Sequence, residues 1–334
     1  MSRIAILGGG SWGTALAIVL SRAHRRHEIA LWVHDAALAN SLGRDRENKV
    51  YLPGHTLPRE VRVSNDIQEA TANCGIVLGA VPSAHARAVY SAAARHLTPD
   101  AVIVSATKGL EPSTHKRMTE VLTEVLDAKI ARRQAVLSGP SFAEEVARGE
   151  PTAVVLASED SALATRLQEE FAAPNFRLYT NDDVIGVELA GAMKNVIAIA
   201  AGVCQGLGLG SNVVAALITR GLAEMSRLAL AQGARSETLG GLAGLGDLVL
   251  TCTGALSRNR HVGIELGRGQ ALVDILSSMR MVAEGVGTTA ALLELAAPSQ
   301  IELPITQQVD AILHGGKSPK EAIREIMERP QRRE

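Results

Sequence analysis

Ile4-Ala5-Ile6-Leu7-Gly8-Gly9-Gly10-Ser11-Trp12-Gly13, continued by an apolar run to Leu20, decides the fold of this chain. Four apolar residues read as a buried strand, and the run after Gly10 reads as a helix. Between them Gly8, Gly10 and Gly13 match G-x-G-x-x-G in the strand-loop-helix context that gives the pattern its meaning. Glycines there let backbone approach a pyrophosphate, whose charge is met by N–H groups at the helix start. Gly8, Gly10, Ser11, Trp12 and Gly13 are therefore the first candidate residues for holding a dinucleotide. A lone cation before an apolar segment also imitates a secretion signal, but three consecutive glycines would weaken a signal helix and suit a tight turn.

Working outward, further short apolar runs alternate with helical patterns: Ile29–Val33, Ile76–Ala80, Val102–Ala106, Ala135–Leu137, Ala153–Leu156 and Phe176–Tyr179. This is the pattern of a doubly wound parallel sheet, an α/β Rossmann-type domain. After Asn181 only helical periodicity remains, in Val184–Val203, Asn212–Gln232 and Ser318–Glu328, so the expected domains are residues 1–181 for the dinucleotide and 182–334 for substrate binding and catalysis. A length of 334 residues fits two cores. Lys plus Arg total 34 against 35 for Asp plus Glu, giving a net charge of −1 and no broad positive field for nucleic acid. Three scattered cysteines, Cys74, Cys204 and Cys252, read as core thiols in a reducing compartment, with no metal cluster. The most apolar later stretch, Leu189 to Cys204, is interrupted by Lys194 and Asn195, so it reads as a buried helix and not a membrane insertion. The expected location is the cytoplasm.

The second strand runs into His34 and Asp35, where an acidic residue would bind the ribose hydroxyls of NAD. His34 comes first after the apolar run, and Arg44 and Arg46 follow where a 2′-phosphate would draw them in. NAD(H) and NADP(H) both remain open, with a lean to NADP(H). Val81-Pro82-Ser83 marks a turn at the carboxyl end of the third strand.

Candidate reaction residues lie at later strand ends and in the helical half. Lys108-Gly109-Leu110 follows Val102–Ala106, placing a cation where open α/β sheets bind ligands. Ser138-Gly139-Pro140-Ser141-Phe142-Ala143 leads into a helix, with Ser141 either an N-cap or a hydroxyl offered to substrate. Lys194 stands among small and apolar neighbours, and burial there draws an ammonium toward proton exchange. Gly244-Leu245-Gly246-Asp247 precedes Thr251-Cys252-Thr253. Ser257-Arg258-Asn259-Arg260 then gathers guanidinium, hydroxyl and amide groups suited to a phosphate.

Together these motifs closely resemble the bacterial NAD(P)-dependent sn-glycerol-3-phosphate dehydrogenases, over nearly the whole chain. Asn48-Lys49-Val50-Tyr51-Leu52-Pro53-Gly54 and Leu217-Ile218-Thr219-Arg220-Gly221-Leu222-Ala223-Glu224-Met225 resemble that family in the same order. The resemblance implies interconversion of dihydroxyacetone phosphate and sn-glycerol 3-phosphate, chiefly by reduction, for phospholipid synthesis. It implies an all-helical C-terminal domain of the 6-phosphogluconate dehydrogenase-like kind and, with the commonness of two-fold oligomers, a homodimer. By matching position it makes Lys194 the proton-transfer residue, supported by Lys108 and Asp247. Lys108, Gly139, Ser141, Lys194, Asp247, Ser257, Arg258 and Asn259 would contact substrate, and Ser11, Trp12, His34, Lys108, Ala143, Arg258, Val282 and Glu284 would border the cofactor. Ser141 replaces a common threonine and keeps the hydroxyl.

Two other readings compete. A β-hydroxyacid or phosphogluconate-type dehydrogenase also joins a Rossmann domain to helices, although Ser257-Arg258-Asn259-Arg260 speaks against it. A non-catalytic dinucleotide sensor would have no use for Lys108, Lys194 and Asp247.

Overall fold

Every apolar run anticipated in the first half forms a strand in the computed structural model, which describes residues 2–330. In chain order the strands are β1 (Ser2–Leu7), β2 (His27–Trp32), β3 (Glu47–Asn48), β4 (Leu52–Thr56), β5 (Arg62–Ser64), β6 (Ile76–Gly79), β7 (Val102–Ser105), β8 (Gln134–Ser138), β9 (Thr152–Ala157) and β10 (Phe176–Asn181). Eight of them form one sheet in the order β10-β9-β8-β7-β6-β1-β2-β5, and β3 pairs with β4 in a separate ribbon. Within the eight-stranded sheet the pairs are parallel except β8–β9, and the β3–β4 ribbon is antiparallel. Between β8 and β9 the short helix Ala143–Arg148 ends at Gly149, whose φ of 87° turns the chain back.

β1 is an interior strand with both its faces buried. Ile4 and Ile6 share a core with Leu16 and Ile18 of the helix Ser11–Leu20, while Ala5 and Leu7 share one with Ala86 and Tyr90 of the helix Ser83–Ala94. Such a strand must be apolar at every position, which is why it was legible. From β1 the chain passes to β2 and β5 on one side, then returns to β6 on the other. The strand order therefore reverses between β1 and β6, and the loops after these two strands flank the switch point where open α/β sheets bind ligands.

The chain divides into two compact units, the first ending at Glu188 and the second beginning at Leu189, inside the long helix Val184–Gly206. That helix is long and apolar enough to cross a bilayer, and 89% of its most apolar window is buried. Among the described residues of the second unit every regular element is helical. Gly202 and Gly206 let its first helix touch Gly263 and Gly267 of the helix Arg258–Gly267; a Cβ on Gly202 would lie 2.0 Å from the carbonyl oxygen of Arg260. This glycine seam brings the helix carrying Lys194 against the helix that begins with Arg258.

Candidate active site

In the first unit the glycine loop has a distinct job for each glycine. Gly8 adopts φ 121°. A Cβ on Gly13 would fall 1.8 Å from the carbonyl oxygen of Gly8, so helix and strand meet there with no room for a methyl group. Gly10 is different: a Cβ there would meet nothing within 4 Å. It is the N-cap of the helix Ser11–Leu20 and brings no capping side chain, leaving the helix start open to an anion. The indole Nε1 of Trp12 is buried without a partner among the described residues. A loop with open space over Gly10 and a donor beside it fits a dinucleotide pyrophosphate.

Around this loop, His34 is exposed and tilts against Trp32, with ring centroids 5.7 Å apart. Asp35 caps the next helix, its carboxylate accepting from Leu38 N at 2.6 Å. Arg44 is exposed and bonded to Asp45. Arg46, expected among the phosphate ligands, has its guanidinium committed to the carbonyls of Leu57, Pro58 and Val61; it braces the chain and does not face a 2′-phosphate.

The loops after β7 and β8 bring three anticipated residues together. Lys108 Nζ donates to the carbonyl of Gly139 at 2.9 Å, and Ser141 Oγ donates to the same oxygen at 3.0 Å. Ser141 therefore does not cap the following helix; Phe142 occupies the N-cap and Ala143 opens the helix. Beyond Lys108, the Glu111 carboxylate accepts two bonds from the Arg87 guanidinium, each 2.8 Å long, which holds that carboxyl below its usual range.

In the second unit Lys194 is 5% exposed and Asp247 is 1% exposed. Lys194 Nζ donates to Asp247 Oδ1 at 2.6 Å and to Thr251 Oγ1 at 2.8 Å. Asp247 is delivered by a π-helical turn, Leu242–Gly246, and opens the helix Asp247–Thr253, one turn ahead of Thr251. The anionic partner offsets part of the cost of burying the ammonium. Thr251 was quoted in the sequence without a role; only the helical turn that stacks it on Asp247 reveals one.

Asn195, next to Lys194, accepts at Oδ1 from Asn259 Nδ2 at 2.9 Å, and Asn259 Oδ1 accepts from Gly285 N at 2.9 Å. Asn259 is thus a brace between helices, and Asn195 is a member of the constellation that sequence reasoning left without a role. Ser257 is the N-cap of the helix Arg258–Gly267, its hydroxyl accepting from Arg260 N. Arg258 is exposed and, with Ser257, His261, Met279, Arg280 and Met281, lines an open cleft of about 280 Å³. Arg260 instead donates to the carbonyl of Gly254 at 3.3 Å, so Arg258 is the guanidinium available to an anion. Val282 and Glu284 follow the cleft along the chain, Val282 exposed and Glu284 opening a helix. The three cysteines are buried thiols, and burial pushes that of Cys252 up to about 12.

These features have close counterparts. The family models for the N-terminus and C-terminus of NAD-dependent glycerol-3-phosphate dehydrogenase match residues 3–164 and 183–324. The chain is 56% identical to the NAD(P)+ glycerol-3-phosphate dehydrogenase of Koribacter versatilis over 99% of this chain and 98% of that protein. It is 54% identical to the enzyme of the same description from Acidobacterium capsulatum, over the full length of both. The crystal structure of glycerol-3-phosphate dehydrogenase from Coxiella burnetii superposes with a TM-score of 0.92 at 41% identity, over 98% of this chain and 99% of that one. The structure of D-mandelate dehydrogenase with NADH also superposes, with a TM-score of 0.64 at 11% identity, which is a likeness of fold alone. Since one family accounts for both halves, and its matched ranges contain both the glycine loop and the buried lysine, the chain belongs to the NAD-dependent glycerol-3-phosphate dehydrogenases.

Proposed function

We propose that this oxidoreductase reduces dihydroxyacetone phosphate to sn-glycerol 3-phosphate, the direction that supplies glycerophospholipid synthesis, as a cytoplasmic homodimer without membrane insertion. Residues 1–181 hold the dinucleotide and residues 182–334 supply substrate binding and proton transfer. The observation that carries the reading is the hydrogen bond between Asn195 and Asn259, which couples the buried Lys194–Asp247–Thr251 group to the helix start bearing Ser257 and Arg258. A proton donor and a phosphate anchor held on one scaffold are what a small phosphorylated ketone requires.

When bound, the reduced dinucleotide supplies the hydride. Lys194 gives its proton to the oxygen that becomes the hydroxyl, and Asp247 and Thr251 fix the amine's direction. Arg258 holds the phosphate with a guanidinium fork, helped by Ser257 and Asn259. Lys108 provides positive charge for the developing alkoxide, and Gly139 and Ser141, tied to Lys108 through the Gly139 carbonyl, border the substrate beside it. Gly8, Gly10, Ser11, Trp12 and Gly13 hold the pyrophosphate, while Ala143, Val282 and Glu284 border the cofactor. The preference is for NADP(H), supported by exposed His34 just after β2 and exposed Arg44 in the last turn of the helix Ala36–Asp45, with Arg46 removed from that role.

Initial rates with dihydroxyacetone phosphate, using NADPH and NADH in turn, test both parts. Turnover with NADPH at the lower KM is expected. No oxidation of either reduced dinucleotide by this ketone rejects the activity, and a lower KM for NADH rejects the preference.

A further inference from the structure

The motif Asn48–Gly54 plays no part in the reaction as described, yet its first residue reaches the glycine loop. Asn48 has no exposed surface. Its amide nitrogen donates to the carbonyl oxygen of Gly9 at 2.9 Å and to Thr14 Oγ1 at 2.8 Å, and its Oδ1 accepts from Tyr51 N at 3.1 Å. With donors and acceptor both engaged, the amide has one orientation. The ribbon that carries it is tethered as well. Arg46, in a left-handed conformation with φ 56°, ties the ribbon's base to Leu57 and Val61, and Leu57 N donates to Arg46 O at 2.7 Å.

The consequence follows from peptide geometry. In a planar trans peptide the C=O and the next N–H point in opposite directions. Holding the Gly9 carbonyl on Asn48 therefore turns the N–H of Gly10 away from Asn48. A pyrophosphate is attracted by such N–H groups and repelled by carbonyl oxygens, so the direction of this one peptide decides whether the loop receives an anion or opposes it. Thr14 adds a second tie, because its own N–H donates to Gly10 O at 3.0 Å while its hydroxyl accepts from Asn48.

We propose that Asn48 is a positioning residue for the dinucleotide: it locks the Gly9–Gly10 peptide with its N–H outward and fastens it, through Thr14, to the first turn of the helix. The inference rests on the glycine loop being the dinucleotide site. In the full-length protein, the dissociation constants of NADH and NADPH are measured for Asn48→Ala, Asn48→Asp and Gly10→Ala, together with separate KM values for dinucleotide and ketone and a urea midpoint. Both Asn48 variants are expected to raise the dinucleotide Kd and KM about 10-fold, the effect of losing roughly one buried hydrogen bond, with the ketone KM moving by less than about 2-fold. Lowered stability with an unchanged dinucleotide Kd, or an equal rise in both KM values, overturns the proposal. Should the Asn48 variants fail to fold, Thr14→Val removes one acceptor at similar volume and is expected to raise the dinucleotide Kd about 3-fold; no rise overturns the proposal. Gly10→Ala tests the premise, since its methyl group meets no protein atom within 4 Å. Unchanged binding in that variant sinks the loop assignment itself, whereas weakened binding there alone sinks only the role of Asn48.

Discussion

The ammonium of Lys194 and the carboxylate of Asp247 meet at 2.6 Å with their side chains almost wholly withdrawn from bulk water. Removing one partner strands the other, at a cost of about 3–5 kcal/mol, whereas replacing both with apolar side chains relieves that cost. Lys194→Met and Asp247→Leu are each expected to lower unfolding stability by that amount, and the double variant to recover at least half of the loss. Turnover should separate from stability: all three should lose about 100-fold or more in kcat with dinucleotide Kd nearly unchanged. Substantial kcat in Lys194→Met, measured on protein shown to be folded, defeats the proton-transfer assignment.

Arg258 and Arg260 are two residues apart but differ in what they face. Arg258 lines the open cleft; Arg260 is spent on the carbonyl of Gly254. A charged hydrogen bond to phosphate contributes about 1.5–3 kcal/mol, so Arg258→Ala should raise the KM for dihydroxyacetone phosphate by about 10-fold to 150-fold. Arg260→Ala should stay within about 3-fold. Equal effects in steady-state kinetics would contradict the division between them.

Acid sensitivity has a local source in Glu111. The Arg87 guanidinium holds its carboxyl below the usual value of 4.5 in the folded protein. A carboxyl whose folded value is depressed contributes stability that is present above its unfolded pKa and is lost as pH falls through the folded one. Urea midpoints measured from pH 7 down to about pH 3 should fall more steeply below pH 4.5 in the parent than in Glu111→Gln. At pH 7 the substitution should cost about 1–3 kcal/mol. Parallel curves for the two proteins would remove Glu111 from the acid response.

How much of this was legible depended on how locally each feature is encoded. β1 is buried on both faces and must be apolar throughout, so four residues announced it; the glycine pattern then fixed its neighbour. β5 is a three-residue edge strand reading Arg62-Val63-Ser64, and β3 has two residues, so neither has an apolar signal to find. Lys194 stood out as a charge in apolar surroundings, whereas Asp247 took its role from the resemblance. Thr251 carries no such contrast, since its role arises from standing four residues after Asp247 on one helix face. Arg46 misled for a related reason: a guanidinium after β2 suits a phosphate equally well until a left-handed backbone aims it at carbonyls. Asn48 was visible only through resemblance, because its partners lie 39 and 34 residues away in sequence.

Glu224, within the Leu217–Met225 motif, shows the same long-range encoding and gives a prediction separate from catalysis. It is fully buried, and its carboxylate accepts from Ile305 N at 2.8 Å, Thr306 N at 2.9 Å and Thr306 Oγ1 at 2.6 Å. Those are donors at the start of the helix Pro304–Leu313, whose own N-cap, Leu303, has no side-chain acceptor. Glu224 thus caps a helix 81 residues away, and Pro304 at the first position needs no partner because it has no N–H. Glu224→Ala should leave buried amides unsatisfied and cost roughly 2–4 kcal/mol, while Glu224→Gln, keeping one acceptor, should cost about half as much. Chemical denaturation measures both, and amide exchange at Ile305 and Thr306 locates the effect: faster exchange there is expected in the alanine variant, and unchanged protection would show that the helix start has another cap.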